Sequence, residues 1–425
     1  MQVLIKNCNL ISMDEDRERI EYGVDILINE EKIEQIGKNI ELSSNAECKV
    51  IDATNKYVLP GLINTHAHIG MSIFRESVDG YQTQDWLTQK IWPIEDRLTG
   101  DDIYKASLLS CIEMIKTGTT TVNDQYFFPE DIIKAVVKSG IRAELTRVVM
   151  DIDNNLDGRY NELVDTIEKY NGKYPNVFFN VGIHGLYTTS QVGVTKSIEL
   201  AKKHNLNIHM HYLENSQESI DISNNYNSQK PYEIVEKNFS NTNSIFAHCV
   251  KLADEDYPIF KKYNIKVAHC PVSNLKLGCG IANVSKMLEN GIIVSLGTDG
   301  QGSGSNLDMF ETMKFTGLLQ KGINEAPTLL PAYEILKMAT INGAKALNKE
   351  ELIGSIKKGK LADLIIIDLS SVITQPINDV FADIVYNAKG TDVETTIIGG
   401  KVLMENKKLT NLNEQEIIDN CKNII

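Results

Sequence analysis

Eight short apolar segments, separated by longer stretches, constrain the fold of this chain more than any other feature. Each is rich in Val, Ile and Thr, as β-strands are, and helical patterns lie between most of them. Strands that alternate with helices are typical of a parallel sheet, and eight repeats predict a (β/α)8 TIM-type barrel. The predicted strands are 62–70, 119–126, 142–150, 177–187, 207–215, 244–250, 266–274 and 292–300.

The two ends of the chain carry a different pattern. Residues 1–57 contain Val- and Ile-rich runs broken by turn residues, and similar runs, such as "LADLIIIDL" and "ETTIIGGKVLMEN", fill the other end. Such runs predict strands without intervening long helices. We therefore expect an α/β protein in which residues 58–355 form the barrel, while 1–57 and 356–425 together build a small β-sandwich domain.

Charge and cysteine content exclude several classes of function. The 425 residues include 43 Lys and Arg against 57 Asp and Glu, a net charge of −14, whereas nucleic acids and anionic membranes select a basic face. The seven cysteines are widely spaced and form no C-x-x-C motif, which is typical of reduced thiols in the cytoplasm. No apolar run approaches the ~20 residues of a membrane span, and we see no signal-peptide pattern. We expect a cytoplasmic protein that acts on a small molecule and binds neither nucleic acid nor membranes.

Histidines are concentrated at the carboxyl ends of the predicted strands, where barrel enzymes carry their catalytic residues. His66 and His68 are two residues apart on one strand, so their side chains point to the same side. They are either a metal-binding pair, which suits zinc, or two hydrogen-bonded histidines at a strand end. Asp299, after the eighth strand, could complete a site with three imidazoles. The other histidines at or near strand ends are His184, His209, His211, His248 and His269.

Several segments resemble, in order and spacing, the amidohydrolase superfamily, and within it the aminohydrolases that act on purines and related rings. The resemblance extends from about residue 57 to 365 and includes the flanking β-rich pieces. Two stretches, "WLTQKIWPIEDRLT" and "SNLKLGCGIA", resemble the 5-methylthioadenosine/S-adenosylhomocysteine deaminase group. The segments that carry the wider resemblance are "PGLINTHAH", "HMHYLEN", "FAHCVKL", "AHCPVSNLKLGCGIANV" and "VSLGTDG".

The resemblance implies a single divalent metal ion. Zinc is expected, with iron and manganese as alternatives, because the same donors bind all three. The family's H-x-x-E pattern selects His211 over His209 as the metal ligand. We expect His209 to pack or to orient a neighbouring residue. The fourth strand lacks the lysine that binuclear members often carry, so one ion is expected. The implied ligands are His66, His68, His211 and Asp299.

The resemblance also implies the catalytic roles. A metal-bound water has a pKa lowered toward ~7, and Glu214 is the expected shuttle that takes its proton and protonates the ring nitrogen. Asp299 would pass a second proton to the leaving ammonia, and His248 would stabilise charge on the attacking oxygen. Without the resemblance, Glu214 could be a solvated loop carboxylate. His269 is expected either to make a structural hydrogen bond or to contact substrate.

The implied substrate contacts lie on several loops. Trp86 and Glu95 would contact the ribose, because an indole covers a flat ligand and a carboxylate accepts from two vicinal hydroxyls; otherwise they are a core residue and part of a charged helix. His184 would donate to a purine nitrogen. Arg147 and Arg159 match arginines that bind the carboxylate of a homocysteine-bearing substrate, although Arg159 could be an exposed loop residue. Arg147 could come from a neighbouring subunit, so a homo-oligomer is expected.

Two departures from the deaminase group lie at the expected substrate mouth. Glu76 stands where glycine is more usual, and "HGLYTTS" lacks the usual Ser-Pro.

We expect a metal-dependent hydrolytic deaminase that converts an adenine-type nucleoside (5′-methylthioadenosine, S-adenosylhomocysteine or 5′-deoxyadenosine) to the inosine-type product and ammonia. The alternatives are a deaminase of a free guanine, other purine, pterin or pyrimidine base, a triazine hydrolase, or a scaffolding protein without metal. The presence of every implied ligand argues against the last.

Overall fold

A computed structural model describes residues 2–42, 47–76, 79–422 and 424–425. Strands predominate at both ends of the chain, and strands alternate with helices between them. In chain order the strands are β1 (Gln2–Leu10), β2 (Glu21–Asn29), β3 (Lys32–Gly37), β4 (Cys48–Asp52), β5 (Tyr57–Pro60), β6 (Leu62–Ala67), β7 (Thr119–Tyr126), β8 (Arg142–Arg147), β9 (Val177–Phe179), β10 (Val181–Gly185), β11 (Ile208–Tyr212), β12 (Ser244–His248), β13 (Lys266–His269), β14 (Val294–Leu296), β15 (Leu364–Ile367), β16 (Val393–Ile398), β17 (Lys401–Glu405) and β18 (Lys408–Leu409).

Several helices begin after a residue whose side chain accepts a hydrogen bond from the first turn. Before α3, for example, Thr99 and Asp102 exchange side-chain and backbone hydrogen bonds in a capping box. None of the helices among the described residues is both long and apolar enough to cross a membrane. The helices are α1 (Thr83–Trp86), α2 (Trp92–Glu95), α3 (Gly100–Lys116), α4 (Pro129–Ser139), α5 (Leu156–Tyr170), α6 (Gln191–His204), α7 (Ser216–Asn225), α8 (Pro231–Asn238), α9 (Asp256–Lys262), α10 (Pro271–Lys276), α11 (Val284–Glu289), α12 (Gln301–Gly304), α13 (Met309–Ile323), α14 (Ala332–Met338), α15 (Ile341–Ala346), α16 (Val380–Tyr386) and α17 (Glu414–Cys421).

All eight predicted strands of the central segment are present, and they pair in parallel in chain order. β6 to β9 form one sheet and β10 to β14 another. The fourth predicted strand is divided because its hydrogen bonding changes partner: the Asn180 N–H donates to Leu145 O at 3.0 Å, and the Val181 N–H donates to Asn207 O at 2.8 Å. The first strand is shorter than predicted, since Ile69–Phe74 forms a 3₁₀ turn.

The two parallel sheets contact each other at both edges. At one edge the Val149 N–H donates to Gly182 O at 2.9 Å, and at the other the Asp299 N–H donates to His66 O at 3.0 Å. Because the neighbouring strands are parallel, their carboxyl ends lie on one side, which we call the carboxyl rim. Buried apolar side chains from strands of both sheets pack in one cluster with α15, among them Ile63, Ile245, Ala247, Ala268 and Ala344.

Strands from both ends of the chain meet in one nine-stranded sheet. Its path is β18-β17-β16-β15-β5-β1-β2-β3, and β4 pairs with β1. β1 changes partner along its length, from β4 to β5, at a bend where Asn7 has φ 56°. β5 continues to Pro60, so the sheet extends past the expected boundary at residue 57.

A buried ion pair joins this sheet to the central segment. Nε and Nη2 of Arg142, at the start of β8, donate to the two carboxylate oxygens of Asp363 at 2.7 and 3.0 Å. Asp363 also accepts from the Gly399 N–H at 2.7 Å. Both charged side chains are almost completely buried, so the pair fixes the position of β15 against β8.

Candidate metal centre and active-site cleft

The four predicted metal ligands converge at the carboxyl rim. Nε2 of His68 lies 3.2 Å from Nε2 of His211 and 3.1 Å from Oδ1 of Asp299. Nε2 of His66 lies 3.4 Å from the same carboxylate oxygen. The four ligand atoms all lie within 4.8 Å of one another, so one ion could contact them all.

In two of these imidazoles the other ring nitrogen, Nδ1, is hydrogen-bonded to a backbone carbonyl oxygen. Nδ1 of His68 lies 2.6 Å from the Gln125 carbonyl oxygen, and Nδ1 of His211 lies 2.6 Å from the His184 carbonyl oxygen. A carbonyl can only accept, so each Nδ1 carries the proton and each Nε2 keeps its lone pair for a metal. Carbonyl partners of this kind fix the tautomer and orientation of metal-binding histidines.

The chemistry of the cluster fits a bound cation. Nε2 of His66 and Oδ1 of Asp299 are buried and have no hydrogen-bond partner among the described residues, a situation that costs about 1–3 kcal/mol per group. The other oxygen of Asp299 accepts from Ser273 and Ser303, both at 2.6 Å. Burial lowers the pKa of His211 well below its usual value, so its ring is the neutral form that a metal requires. The donors therefore fit a divalent metal ion.

Glu214 lies beside this cluster, in the turn after β11. Glu218 accepts from the backbone N–H groups of Leu213 and Glu214 at 2.8 and 2.7 Å, which holds a turn in which Leu213 has φ 50°. Oε1 of Glu214 lies 3.9 Å from Nδ1 of His248 and 3.6 Å from Sγ of Cys279. Burial raises the pKa of Glu214, so its carboxyl can exchange protons nearer neutral pH than an exposed glutamate.

Three of the predicted substrate-binding residues, Trp86, Glu95 and His184, line the cleft that opens beside the metal cluster. Trp86 ends α1 and Glu95 ends α2, with one π-helical turn between them; such turns recur at functional sites. The Tyr126 hydroxyl donates to Oε1 of Glu95. Burial raises the pKa of Glu95 to about 7. Aromatic side chains in the cleft wall are Trp92, Tyr126, Phe127 and Tyr187.

The two predicted carboxylate-binding arginines are not among the residues that line this cleft. Nε of Arg147 donates to Glu162 at 2.7 Å, and both terminal nitrogens of Arg159 donate to Asp153. Each guanidinium is therefore paired within the chain. Their contact with substrate, and the contribution of Arg147 to a neighbouring subunit, stay predictions.

The remaining histidines of the rim have distinct environments. His209 lies outside the group of four ligands, and its Nε2 contacts Nδ1 of His66 at 2.8 Å. His269 is buried, and neither of its ring nitrogens has a hydrogen-bond partner in the described part of the chain. It does not line the cleft, so its role stays open.

Sequence reasoning missed three side chains that contact the predicted site. Tyr126 is the last residue of a predicted strand, so its place at the rim could have been found. Glu218 follows Glu214 at a one-turn spacing, which is a weak signal. Cys279 lies on a loop between α10 and α11, within the "SNLKLGCGIA" stretch that carries the resemblance, but its contact with Glu214 could not be found because a single sequence does not reveal which loops meet.

Comparison with known proteins supports the resemblance. Residues 57–403 match the model of the Amidohydrolase family. A 5-methylthioadenosine/S-adenosylhomocysteine deaminase of Caldanaerobacter subterraneus subsp. tengcongensis is 40% identical over 424 residues, which cover 98% of this chain and 96% of that protein. A 5′-deoxyadenosine deaminase of Methanosarcina barkeri is 40% identical over 423 residues, with 99% and 96% covered.

The fold is also shared with solved structures. The crystal structure of an adenosine deaminase from Xanthomonas campestris with bound zinc superposes with a TM-score of 0.92 at 26% identity, covering 99% of this chain and 97% of that one. An atrazine chlorohydrolase from Arthrobacter aurescens, complexed with zinc, has the same TM-score at 24% identity, with 99% of each chain covered. The predicted resemblance is confirmed: this chain belongs to the amidohydrolase family.

Proposed function

We propose that this chain is a metal-dependent hydrolase that deaminates adenine-type nucleosides, such as 5′-methylthioadenosine, S-adenosylhomocysteine or 5′-deoxyadenosine, to the inosine-type product and ammonia. The observation that carries the proposal is the convergence of a metal-ligand cluster and Glu214 on a cleft that also contains Trp86 and Glu95. The relatives at 40% identity are named as deaminases of these nucleosides, which supports the same substrate class.

One divalent ion, which we infer to be zinc, would be held by the four converging side chains. Three imidazoles and a carboxylate are donors that zinc accepts, and the Xanthomonas campestris adenosine deaminase contains zinc. When bound, the ion would act as a Lewis acid and lower the pKa of a water molecule toward ~7. The ligands are His66, His68, His211 and Asp299.

Glu214 transfers the first of the two protons that move in the reaction. It takes a proton from the attacking water and delivers it to the ring nitrogen next to the carbon under attack, as a general base and then a general acid. Asp299 takes the remaining proton from the oxygen that has been added to the ring and delivers it to the amino group, so both protons of the water are accounted for. One C–O bond forms, one C–N bond breaks, and ammonia leaves. Nδ1–H of His248 donates to Oδ1 of Asn274 at 2.8 Å, so the role proposed for His248 requires the doubly protonated ring, whose Nε2–H stabilises charge on the attacking oxygen.

Glu95, Trp86 and His184 position the substrate. An ionised Glu95 accepts hydrogen bonds from the two ribose hydroxyls, the indole of Trp86 covers the nucleoside, and His184 donates to a purine nitrogen. These roles favour a nucleoside over a free base, because a free base offers no hydroxyls to Glu95. A lost hydrogen bond to a charged, buried group is costly, so the ribose contributes strongly to binding.

We also infer the architecture that carries this site. The edge contacts of the two parallel sheets support closure into one (β/α)8 barrel over residues 58–355. The change of partner along β1 supports a composite β-sandwich domain from 1–57 and 356–425, with β5 reaching into it. All seven cysteines are free thiols, which supports a cytoplasmic enzyme, and a homo-oligomer remains part of the proposal.

Ammonia release tests the proposed function. Zinc-loaded protein is offered 5′-methylthioadenosine, S-adenosylhomocysteine, adenosine, adenine, guanine and cytosine in parallel. We expect rapid release from the substituted nucleosides and little from the bases. Release from a free base alone would overturn the ribose contacts, and no release from any compound would overturn the deaminase.

A further inference from the structure

We propose that Cys279 is a positioning residue for Glu214: its thiol donates to the Glu214 carboxylate and fixes the orientation in which that carboxylate exchanges protons. The inference rests on the proposed function, because it concerns the proton-transfer step. Cys279 is a loop residue that is neither one of the proposed metal ligands nor one of the proposed substrate contacts.

The contact lies in a buried setting. Sγ of Cys279 is 3.6 Å from Oε1 of Glu214 and 3.3 Å from Oγ1 of Thr83. Cys279 is 4% exposed and Glu214 is 6% exposed. The carboxylate can only accept if it is ionised, so the S–H must be the donor. Thr83 can in turn donate to the sulfur, which gives the order Thr83, Cys279, Glu214.

The backbone does not fix the carboxylate by itself. Glu218 holds the main chain of Glu214, but a glutamate side chain has three further torsions that a fixed backbone leaves free. His248 lies too far away, at 3.9 Å, for a hydrogen bond to that carboxylate. Within the described part of the chain, the Cys279 thiol is the one group that donates a hydrogen bond to the Glu214 carboxylate.

A thiol suits this position because it is a weak donor. A strong or charged donor would stabilise the ionised carboxylate and make it a poorer base. The thiol occupies Oε1 and orients the group, while Oε2 is free of hydrogen bonds from the described residues and can receive the proton. Cys279 also ties the loop before α11 to Thr83, the first residue of the helix that carries Trp86.

The test compares Cys279→Ala with Cys279→Ser in the zinc-loaded full chain. We expect the alanine variant to lower kcat about fivefold, equivalent to about 1 kcal/mol at ~1.36 kcal/mol per tenfold, with KM unchanged. Serine restores a hydroxyl donor, so kcat should stay within about twofold of wild type. Metal content and melting temperature should not change. Cys8→Ala removes an equally buried thiol from the end-strand sheet and should leave kcat as in wild type.

Each other outcome contradicts the inference in a distinguishable way. Wild-type kcat in Cys279→Ala would show that the thiol does not position Glu214. Equal losses in the alanine and serine variants, or a loss of bound zinc, would assign Cys279 a packing role instead. Wild-type protein that releases no ammonia from any nucleoside would overturn the proposed function itself, and this inference with it.

Discussion

Nδ1 of His66 lies 2.8 Å from Nε2 of His209, and both rings are completely buried. His66 is thus oriented by another imidazole, whereas His68 and His211 are oriented by backbone carbonyls. Burial lowers the pKa of His209 well below its usual value, so Nε2 of its neutral ring can accept a hydrogen bond from Nδ1–H of His66. We infer that His209 orients one of the proposed metal ligands without being a ligand itself.

The first prediction concerns this contact. Removing a partner that orients a metal ligand typically costs 10–100-fold in metal affinity, so His209→Ala should weaken zinc binding by about that factor. A competition titration with a chromophoric chelator measures the change. The matched control is His204→Ala, at the end of α6 away from the rim, which should bind zinc like wild type. Unchanged affinity in His209→Ala would contradict the assigned role.

Glu214→Gln should abolish most of the activity while leaving the metal in place. The amide cannot exchange the proton, and general acid–base groups contribute about 10²–10⁴-fold, so kcat should fall by that range. Steady-state ammonia release and zinc content per chain are the two measurements. Glu236→Gln, which alters an exposed pair with Lys262, serves as the control. A kcat within threefold of wild type would contradict the shuttle role.

Binding of nucleosides should depend on pH through Glu95. Burial raises the pKa of this carboxyl to about 7, so it is protonated below that pH and ionised above it. The ionised form accepts from both ribose hydroxyls, and KM should therefore fall as pH rises through about 7. Glu95→Gln should raise KM about tenfold, as expected for loss of a hydrogen bond to a charged group, and remove this pH dependence.

The exposed neighbour of Glu95 provides the control for this prediction. Asp96→Asn removes an exposed carboxylate one residue away; because burial and, to a smaller extent, the Asp96 charge raise the pKa of Glu95, the variant should keep the KM of wild type above that pKa and keep the pH dependence, moved slightly toward lower pH. KM of Glu95→Gln equal to that of wild type at all pH values would exclude a ribose contact.

The ion pair between Arg142 and Asp363 should matter for stability. Removing one partner leaves a buried, unpaired charge, which costs about 3–5 kcal/mol, so Asp363→Asn should lower the free energy of unfolding by about that amount in urea. Glu130→Gln breaks the exposed pair with Lys169 and should cost about 0–1 kcal/mol. Equal stabilities of the two variants would mean that Arg142 finds another partner.

The sequence predicted which side chains lie at the carboxyl rim better than it predicted the residues that contact them. A strand end places a side chain by its two-residue period alone, and this was enough for His66 and His68. The family's H-x-x-E pattern then selected His211 and Glu214, which lie at the same rim, while their metal-binding and catalytic roles stay predictions. The positions of these residues depend on local backbone geometry, which a single sequence can predict.

Contacts between distant loops were not predictable in the same way. Cys279 meets Thr83 across 196 positions of the chain, and no local pattern encodes that approach. The pairing of Arg147 with Glu162 depends on how α5 packs against β8, and its expected contact with a substrate carboxylate stays a prediction. The fourth predicted strand is divided because its first part pairs with β8 and its second part pairs with β11. The periodicity of the sequence does not reveal this change of partner.

The most direct test of the account is ammonia release from 5′-methylthioadenosine before and after metal removal. The protein is treated with a chelator, freed of it, and then titrated with zinc. We predict that activity is lost with the metal and returns in proportion to added zinc, reaching its maximum at one ion per chain. Activity that persists without metal, or no ammonia at any zinc level, would contradict a metal-dependent nucleoside deaminase.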